Sequence, residues 1–358
     1  SSINESGTSL TQAIWDERRL EFAGEGHRFF DLVRTGQAGN EISGFVVGKH
    51  EVFPIPQTEI IDLANPSSSC KMWAELPLGT PTQTAVGGFL GNAGMLMCGG
   101  QRENNVITDN CYLITSDNVV QTSHSLSKPL MASAGAIINN TLYVTGGYSQ
   151  IEDAHINGTE FVSLVEGSRP GPMLPINVAD HCLIKIDDES LLLTGGSHVI
   201  GRDHVKLKDT WFFSLSNASW TKGPDMLEAR QKHACGSMTL KVDGHQILVV
   251  AGDFIEGQQN PRLIDSIEFL DLSQEFPEWI NGPITLPINN SNVEVGLGHQ
   301  IVSNEEYLYY INTYQNLFYQ LECENVTACN WTKLEMGLDY YRTSAIVSLV
   351  PNEFVDCS

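Results

Sequence analysis

The sequence predicts an all-β fold built from repeated four-stranded units. A Gly-Gly doublet closes a short apolar run three times, at Gly99 and Gly100, at Gly146 and Gly147, and at Gly195 and Gly196. A related run, LVVAGD, follows further along the chain. The intervals of about 50 residues match the length of one four-stranded blade of a β-propeller. Within each interval the pattern indicates an alternating strand, an apolar strand, a variable loop and two further strands.

Two residue types are expected to pack the repeats against one another. Glycine adopts positive φ and allows close backbone approach, so we assign the doublets to crowded contacts between units. A tryptophan on an outer strand buries a large apolar area between units. The tryptophans expected in this role are Trp73, Trp220, Trp279 and Trp331.

The order of these features resembles a known repeat family. The doublet follows the second strand, Glu-Phe or Trp-Phe opens the third, and Trp-x-x-Gly-Pro recurs on the fourth at Trp220 and Trp279. These features resemble the kelch repeat over residues 70–358. The resemblance implies a kelch-type β-propeller, and it implies a protein partner more often than a small one.

The two ends of residues 70–358 are expected to complete one further unit. Residues 71–77 (KMWAELP) read as a fourth strand, and residues 342–356 supply two inner strands. Together they would form a sixth blade, and closure of the array removes exposed sheet edges. We therefore predict a six-bladed propeller in which Cys70 lies close to Cys357.

The first 66 residues do not share the repeat. Residues 10–23 and 27–35 are predicted to form two short helices, separated by glycines. The run WDERRLEFAGEGHRFFDLVRTG, with HEVFPIPQTEI behind it, resembles the carboxy-terminal end of the SusD/RagB family, outer-membrane lipoproteins that capture glycans for import. The resemblance covers only the tail of that family, without its helical-repeat body. The predicted domains are a helical segment at 1–66, a boundary at 67–69 and the propeller at 70–358.

Charge and hydropathy exclude some partners. Acidic residues outnumber basic ones 43 to 20, and the net charge of −23 argues against nucleic acid and anionic membranes, which both select clustered Lys and Arg. The sequence contains no apolar run approaching the roughly 20 residues that a membrane-spanning helix needs. We predict an extracellular monomer, with the bacterial outer-membrane surface as the alternative.

The cysteines and the N-x-[ST] sequons favour a secreted, disulfide-bonded glycoprotein. Position along the repeats suggests the cysteine pairs Cys98–Cys111, Cys182–Cys235, Cys323–Cys329 and Cys70–Cys357, out of about 105 possible connectivities. A reduced intracellular form is the alternative. The candidate glycosylation sites in the repeat region are Asn139, Asn157, Asn217, Asn289, Asn325 and Asn330.

Two groups of residues are candidates for a site. His181, His233 and His299 occupy similar places on first strands and could line a channel, although kelch repeats commonly carry a structural histidine there. The loops after the doublets share one face, and they carry a local basic cluster in an acidic protein. This cluster is the preferred partner site, with a merely solvated loop as the alternative; its members are Arg102, Arg202, Lys206, Lys208 and Arg262.

No motif of a hydrolase, a P-loop or a dinucleotide site stands in the sequence. We expect no catalytic residue, no metal and no cofactor. The preferred function is a non-catalytic extracellular module that recognises a protein partner through its loop face. One alternative is a SusD-like, carbohydrate-binding surface component, and a second is a copper oxidoreductase resembling galactose oxidase, whose ligand set we cannot place here.

Overall fold

The structure is a computed structural model that describes residues 83–102, 105–115, 118–200, 203–255, 262–288, 299–303, 307–312 and 317–334. The chain divides into two units, Ser1–Leu63 and Ala64–Ser358, and every described residue belongs to the second. The predicted helices, the boundary at 67–69, Trp73 and the predicted sixth blade lie outside the described residues. The predicted bond between Cys70 and Cys357 lies outside them as well.

The regular secondary structure of the described residues consists of strands, apart from one 3-10 turn at Gly91–Ala93, and this confirms the all-β prediction. Five antiparallel sheets have four strands each. Sheet 1 consists of β1 (Val86–Leu90), β2 (Gly94–Cys98), β3 (Asn110–Ile114) and β4 (Val119–Ser125). Sheet 2 consists of β6 (Ala134–Ile138), β7 (Thr141–Thr145), β10 (Thr159–Ser163) and β11 (Gly167–Pro170). Sheet 3 consists of β12 (Cys182–Lys185), β13 (Ser190–Thr194), β16 (Thr210–Ser214) and β17 (Ser219–Lys222).

Sheets 4 and 5 repeat the order. Sheet 4 consists of β18 (Ala234–Thr239), β19 (Gln246–Ile255), β20 (Arg262–Asp271) and β21 (Trp279–Asn281). Sheet 5 consists of β22 (His299–Ser303), β23 (Leu308–Asn312), β24 (Leu317–Asn325) and β25 (Ala328–Lys333). Two small sheets complete the described strands: β5 (Leu130–Met131) with β8 (Tyr148–Ser149) and β9 (Ala154–His155), and the hairpin of β14 (Ser197–Ile200) and β15 (Asp203–Lys206).

The first strands of the five sheets line one cavity. Strands β1, β6, β12, β18 and β22 contact one another in that order. Each contributes to the wall of a cavity of about 330 Å³. Glycines on these strands allow the close approach: a Cβ on Gly88 would lie 2.6 Å from the Ile137 side chain, and one on Gly236 would lie 2.6 Å from Ile301.

Antiparallel pairing gives the array two distinct ends. At one end, each first strand begins and each second strand finishes. The connections from second to third strands also lie at this end, and we call it the mouth face. The turns between first and second strands, and between third and fourth strands, lie at the opposite end, which we call the turn face.

The core lies between neighbouring sheets, and the second strands are buried on both sides. In β7 and β13, four of five residues are buried, which explains why these strands read as continuous apolar runs rather than alternating ones. Between sheets 2 and 3, Ile138, Phe161, Leu191 and Phe213 share one apolar cluster.

The fourth-strand tryptophans reach back to the preceding sheet. The indole nitrogen of Trp220 donates to the Pro172 carbonyl oxygen at 3.1 Å, and that of Trp279 donates to the Pro224 oxygen at 3.1 Å. Trp331 makes the corresponding bond to the Thr285 oxygen at 2.9 Å. Each tryptophan therefore fixes one sheet against the segment that leaves the sheet before it.

Three disulfides have the predicted partners. Cys98–Cys111 joins β2 to β3, and Cys323–Cys329 joins β24 to β25. Cys182–Cys235 links β12 to β18, the first strands of sheets 3 and 4. Among the described residues there is no helix with the length and apolar character to cross a bilayer.

Candidate binding site

A second space, of about 490 Å³, lies at the mouth face, and we call it the mouth. This volume falls within the range of small-ligand pockets, about 300–1,000 Å³. The mouth shares four wall residues with the first cavity, which are Gly87, Leu183, Cys235 and Ile301. The mouth is bounded by the residues that precede and begin the first strands. Its polar lining includes Gln83, Gln101, Ser133, Asp180, Lys232 and Gln300.

Four of the residues around the mouth share an uncommon backbone conformation. Thr84, Ala132, Asp180 and Lys232 have φ of 52°, 54°, 56° and 53°, and each stands two residues before a first strand. Non-glycine residues enter this left-handed region at a cost of roughly 1–2 kcal/mol. Such strain is concentrated at functional sites, so its recurrence makes the mouth the best candidate site in the described residues.

Backbone hydrogen bonds link three of these positions from sheet to sheet. The Asp180 amide donates to the Ala132 carbonyl oxygen at 2.9 Å, and the Lys232 amide donates to the Asp180 oxygen at 2.7 Å. The Lys232 ammonium also lies 3.8 Å from the Asp180 carboxylate, with both side chains about one fifth exposed. The mouth therefore presents both signs of charge beside amide and hydroxyl groups.

The histidines that follow two of these positions connect neighbouring sheets. His181 and His233 are 7% and 6% exposed, and their Nε2 atoms lie 2.8 Å from the Oγ1 atoms of Thr145 and Thr194. Burial, with a smaller effect of the nearby His155, lowers the pKa of His181 to about 3. Both histidines contribute to the wall of the mouth.

The third predicted histidine, His299, begins β22, and its side chain lies outside the described part of the chain. Within the described ranges, no group of three or more His, Cys, Asp or Glu side chains is arranged to hold a metal ion.

Three neighbouring hairpins on the mouth face are joined side by side, and we call them the hairpin ridge: β8–β9, β14–β15 and the outer part of β19–β20. The His155 ring lies edge-on to the His204 ring at 5.6 Å, and its Nδ1 donates to the Ser197 carbonyl oxygen at 3.1 Å. Lys206 forms an ion pair with the buried Asp253. The ridge is therefore cross-linked from sheet 2 to sheet 4.

Burial is the main cause that lowers the pKa of His155. The hydrogen bond to Ser197 opposes this effect, and the charges of His204 and His198 add to it. The surroundings therefore favour the neutral form of the ring where two hairpins of the ridge meet.

The predicted basic cluster is divided among separate contacts in the structure. Lys206 pairs with Asp253, Lys208 lies 3.6 Å from Asp225, and Arg102 donates to the Thr108 hydroxyl at 3.4 Å. Arg202 and the side chain of Arg262 lie outside the described residues. The basic cluster as a partner site stays a prediction.

Sequence reasoning missed the series of four left-handed residues at the mouth. Its members are Thr, Ala, Asp and Lys, so they share a conformation but no residue type. The available signal was their fixed place two residues before each predicted first strand.

Comparisons with known proteins address the two parts of the chain separately. The model of the SusD family matches residues 2–52, which lie outside the described residues, and supports the resemblance predicted for that segment. No curated protein matches the chain. The kelch resemblance of residues 70–358 stays a prediction.

Among solved structures, that of YjhT is similar at 12% identity and a TM-score of 0.52, over 72% of this chain and 86% of that one. At this identity the similarity concerns the fold alone.

Proposed function

We propose that this chain is a non-catalytic carbohydrate-binding protein of the cell surface or exterior, and that the mouth is its ligand site. The observation that carries the ligand class is the match of residues 2–52 to the SusD family. Members of that family, as the sequence resemblance implies, capture glycans at a bacterial outer membrane. The surface location is supported by the same match and by the three disulfides, which persist in oxidising compartments.

The chemistry of the mouth is compatible with this ligand class. A sugar offers many neutral hydroxyl groups, each of which donates and accepts hydrogen bonds. Amide side chains also donate and accept, and Gln83 and Gln101 lie beside each other because their backbones form a two-way bridge. Ser133, Asp180 and Lys232 add further groups of both kinds to the same wall.

The scaffold we propose is a six-bladed, kelch-type β-propeller. Five sheets whose first strands line one cavity support it. The sixth blade would come from residues 71–77 and 342–356, as the sequence predicts. Closure would make the mouth a complete ring.

The test is glycan binding by the full chain and by paired variants. We expect Gln83→Ala with Gln101→Ala to weaken binding at least tenfold, because two amides leave the wall while the backbone bridge remains. Ser237→Ala, at the other end of the cavity, is the control and should bind normally. A full panel of glycans that shows no binding, or equal loss in both variants, would contradict the proposal.

A protein partner is the second candidate, and the hairpin ridge and its neighbours favour it. Apolar side chains project from the mouth-face loops: Ile151 is 72% exposed, Val106 is 44% exposed and Val205 is 39% exposed. Exposed apolar residues on a rigid ridge suit a protein surface better than a sugar. Ile151→Asp would then abolish partner binding while leaving glycan binding unchanged.

A further inference from the structure

The sequons of the described residues are distributed unevenly between the two faces. Asn139 lies in the β6–β7 turn and Asn217 in the β16–β17 turn. Asn325 and Asn330 belong to the β24–β25 hairpin, so these four lie on or next to the turn face. Asn157 lies between β9 and β10, in a connection on the mouth face. Asn289 lies outside the described residues and takes no part in the argument.

The turn-face asparagines are accessible. Asn139, Asn217 and Asn330 are exposed, and the amide of Asn139 makes a long 3.5 Å contact with the Asp188 carbonyl oxygen. Asn325 is half-buried, but its Oδ1 accepts from the Thr327 amide at 2.9 Å and from the Thr327 hydroxyl at 2.7 Å. This pairing within the sequon uses the side-chain oxygen rather than the nitrogen, the atom to which a sugar is attached.

Both the side chain and the backbone of Asn157 form hydrogen bonds with the backbone of Leu174. Its Nδ2 donates to the Leu174 carbonyl oxygen at 3.1 Å, and its own carbonyl oxygen accepts from the Leu174 amide at 2.8 Å. Leu174 is 1% exposed, and Thr159, which completes the sequon, is 5% exposed. Asn157 itself is half-buried. A glycan on it would replace one of the two N–H groups of this bonded amide and require space beside the packed segment.

We propose that the chain carries N-linked glycans on the turn face, at Asn139, Asn217, Asn325 and Asn330, and that Asn157 is a structural residue without a glycan. The donor is a lipid-linked oligosaccharyl diphosphate. The asparagine Nδ2 forms a bond to the anomeric carbon and loses one proton, while the bond from that carbon to the diphosphate oxygen breaks and the lipid diphosphate leaves with the electron pair. The mouth face around sheets 2 and 3 stays free of carbohydrate and open to a ligand. This inference does not depend on the ligand class proposed above.

The experiment is a glycopeptide map of the full chain secreted from eukaryotic cells. Enzymatic deglycosylation in heavy-oxygen water converts each occupied asparagine to labelled aspartate. We expect the label at the four turn-face positions and unmodified Asn157. A labelled residue 157 in the folded, secreted protein, or unlabelled residues 217 and 330, would overturn the proposal.

Matched variants separate the two roles. Asn217→Gln should lose the mass of one glycan and keep its melting temperature. Asn157→Gln should keep the full glycan mass and melt at a lower temperature, because Leu174 loses its side-chain partner. If that variant is not secreted, Thr159→Val removes the same sequon without touching the asparagine amide, and it should also keep the full glycan mass. A loss of mass in either residue-157 sequon variant would overturn the assignment.

Discussion

The Nε2 atom of His181 lies 2.8 Å from the Oγ1 atom of Thr145, and this bond joins the beginning of sheet 3 to the last residue of the second strand of sheet 2. His233 and Thr194 repeat the bond between sheets 4 and 3. A Cβ on Gly146 would lie 2.8 Å from the His181 Cε1 atom, so the Gly doublet leaves the space that the histidine of the next sheet occupies.

Replacement of His181 by glutamine should make stability less sensitive to acid. The pKa of His181 is about 3 in the folded protein, below its ordinary 6.5, so the unfolded chain binds more protons between these values. The contribution of His181 to the free energy of unfolding is therefore complete above about pH 6.5. It falls by about 1.4 kcal/mol for each pH unit as the pH is lowered towards 3. His181→Gln removes this contribution. Urea unfolding between pH 7 and 4 measures the slope, and an equal change in the exposed control His245→Gln would contradict the assignment.

Substitution of Gly195 by alanine should cost more than the same change at Gly244. Both have positive φ, at 56° and 71°, so both variants bear the backbone strain of about 1 kcal/mol. The new Cβ at 195 would lie 2.6 Å from the Arg230 carbonyl oxygen and 2.9 Å from His233, whereas the one at 244 meets no atom within 4 Å. We expect Gly195→Ala to lower the free energy of unfolding by about 1–3 kcal/mol more than Gly244→Ala does, as measured by chemical unfolding. Equal losses would mean that the doublet does not serve sheet contact.

These contacts show how far the sequence predicts this fold. The spacing of the doublets and of Trp220 and Trp279 predicted the four-stranded units, because each recurs at a crowded contact between sheets. The three cysteine pairs followed from their places on predicted strands. The strained backbone at Asp180 could not be predicted from the sequence, because no residue type marks it. The pairing of Lys206 with Asp253 could not be predicted either, because it joins loops of different sheets.

The buried pair of Arg230 and Glu268 should be sensitive to loss of its carboxylate. Both side chains are 0% exposed and lie 2.8 Å apart, and Glu268 also accepts from the backbone amides of Leu227 and Glu228. Glu268→Gln leaves a buried guanidinium without its buried carboxylate partner, and we expect the free energy of unfolding to fall by about 3–5 kcal/mol. Glu228 contacts the same guanidinium at 3.3 Å but is 54% exposed, so Glu228→Gln should cost below about 1 kcal/mol. Calorimetry of the two variants measures how much stability each one loses, and similar losses would contradict this account.

Removal of the disulfide between sheets should cost more than removal of the one within a hairpin. Cys182–Cys235 spans 53 residues and Cys323–Cys329 spans 6. In the chain-entropy model, the longer loop gives about 2 kcal/mol more stabilisation. Paired serine variants at each bridge, unfolded in urea, measure the difference. A larger loss for the hairpin bridge would show that native-state contacts, rather than loop closure, set the order.

An engineered glycan on the mouth face should block ligand binding, and one on the turn face should not. Gln150→Asn with Glu152→Thr creates a sequon at the exposed tip of β8–β9 in the hairpin ridge. Gln274→Asn with Phe276→Thr creates one in the exposed β20–β21 connection, and Phe276 is already 79% exposed. The first variant should lose binding of a glycan or protein ligand by at least tenfold, because the added oligosaccharide overhangs the ridge and the mouth. Glu152→Thr alone, which removes the ion pair to Lys128 without adding a sugar, is the control and should bind normally. Loss of binding only in the turn-face variant would place the ligand site at the opposite end of the sheets.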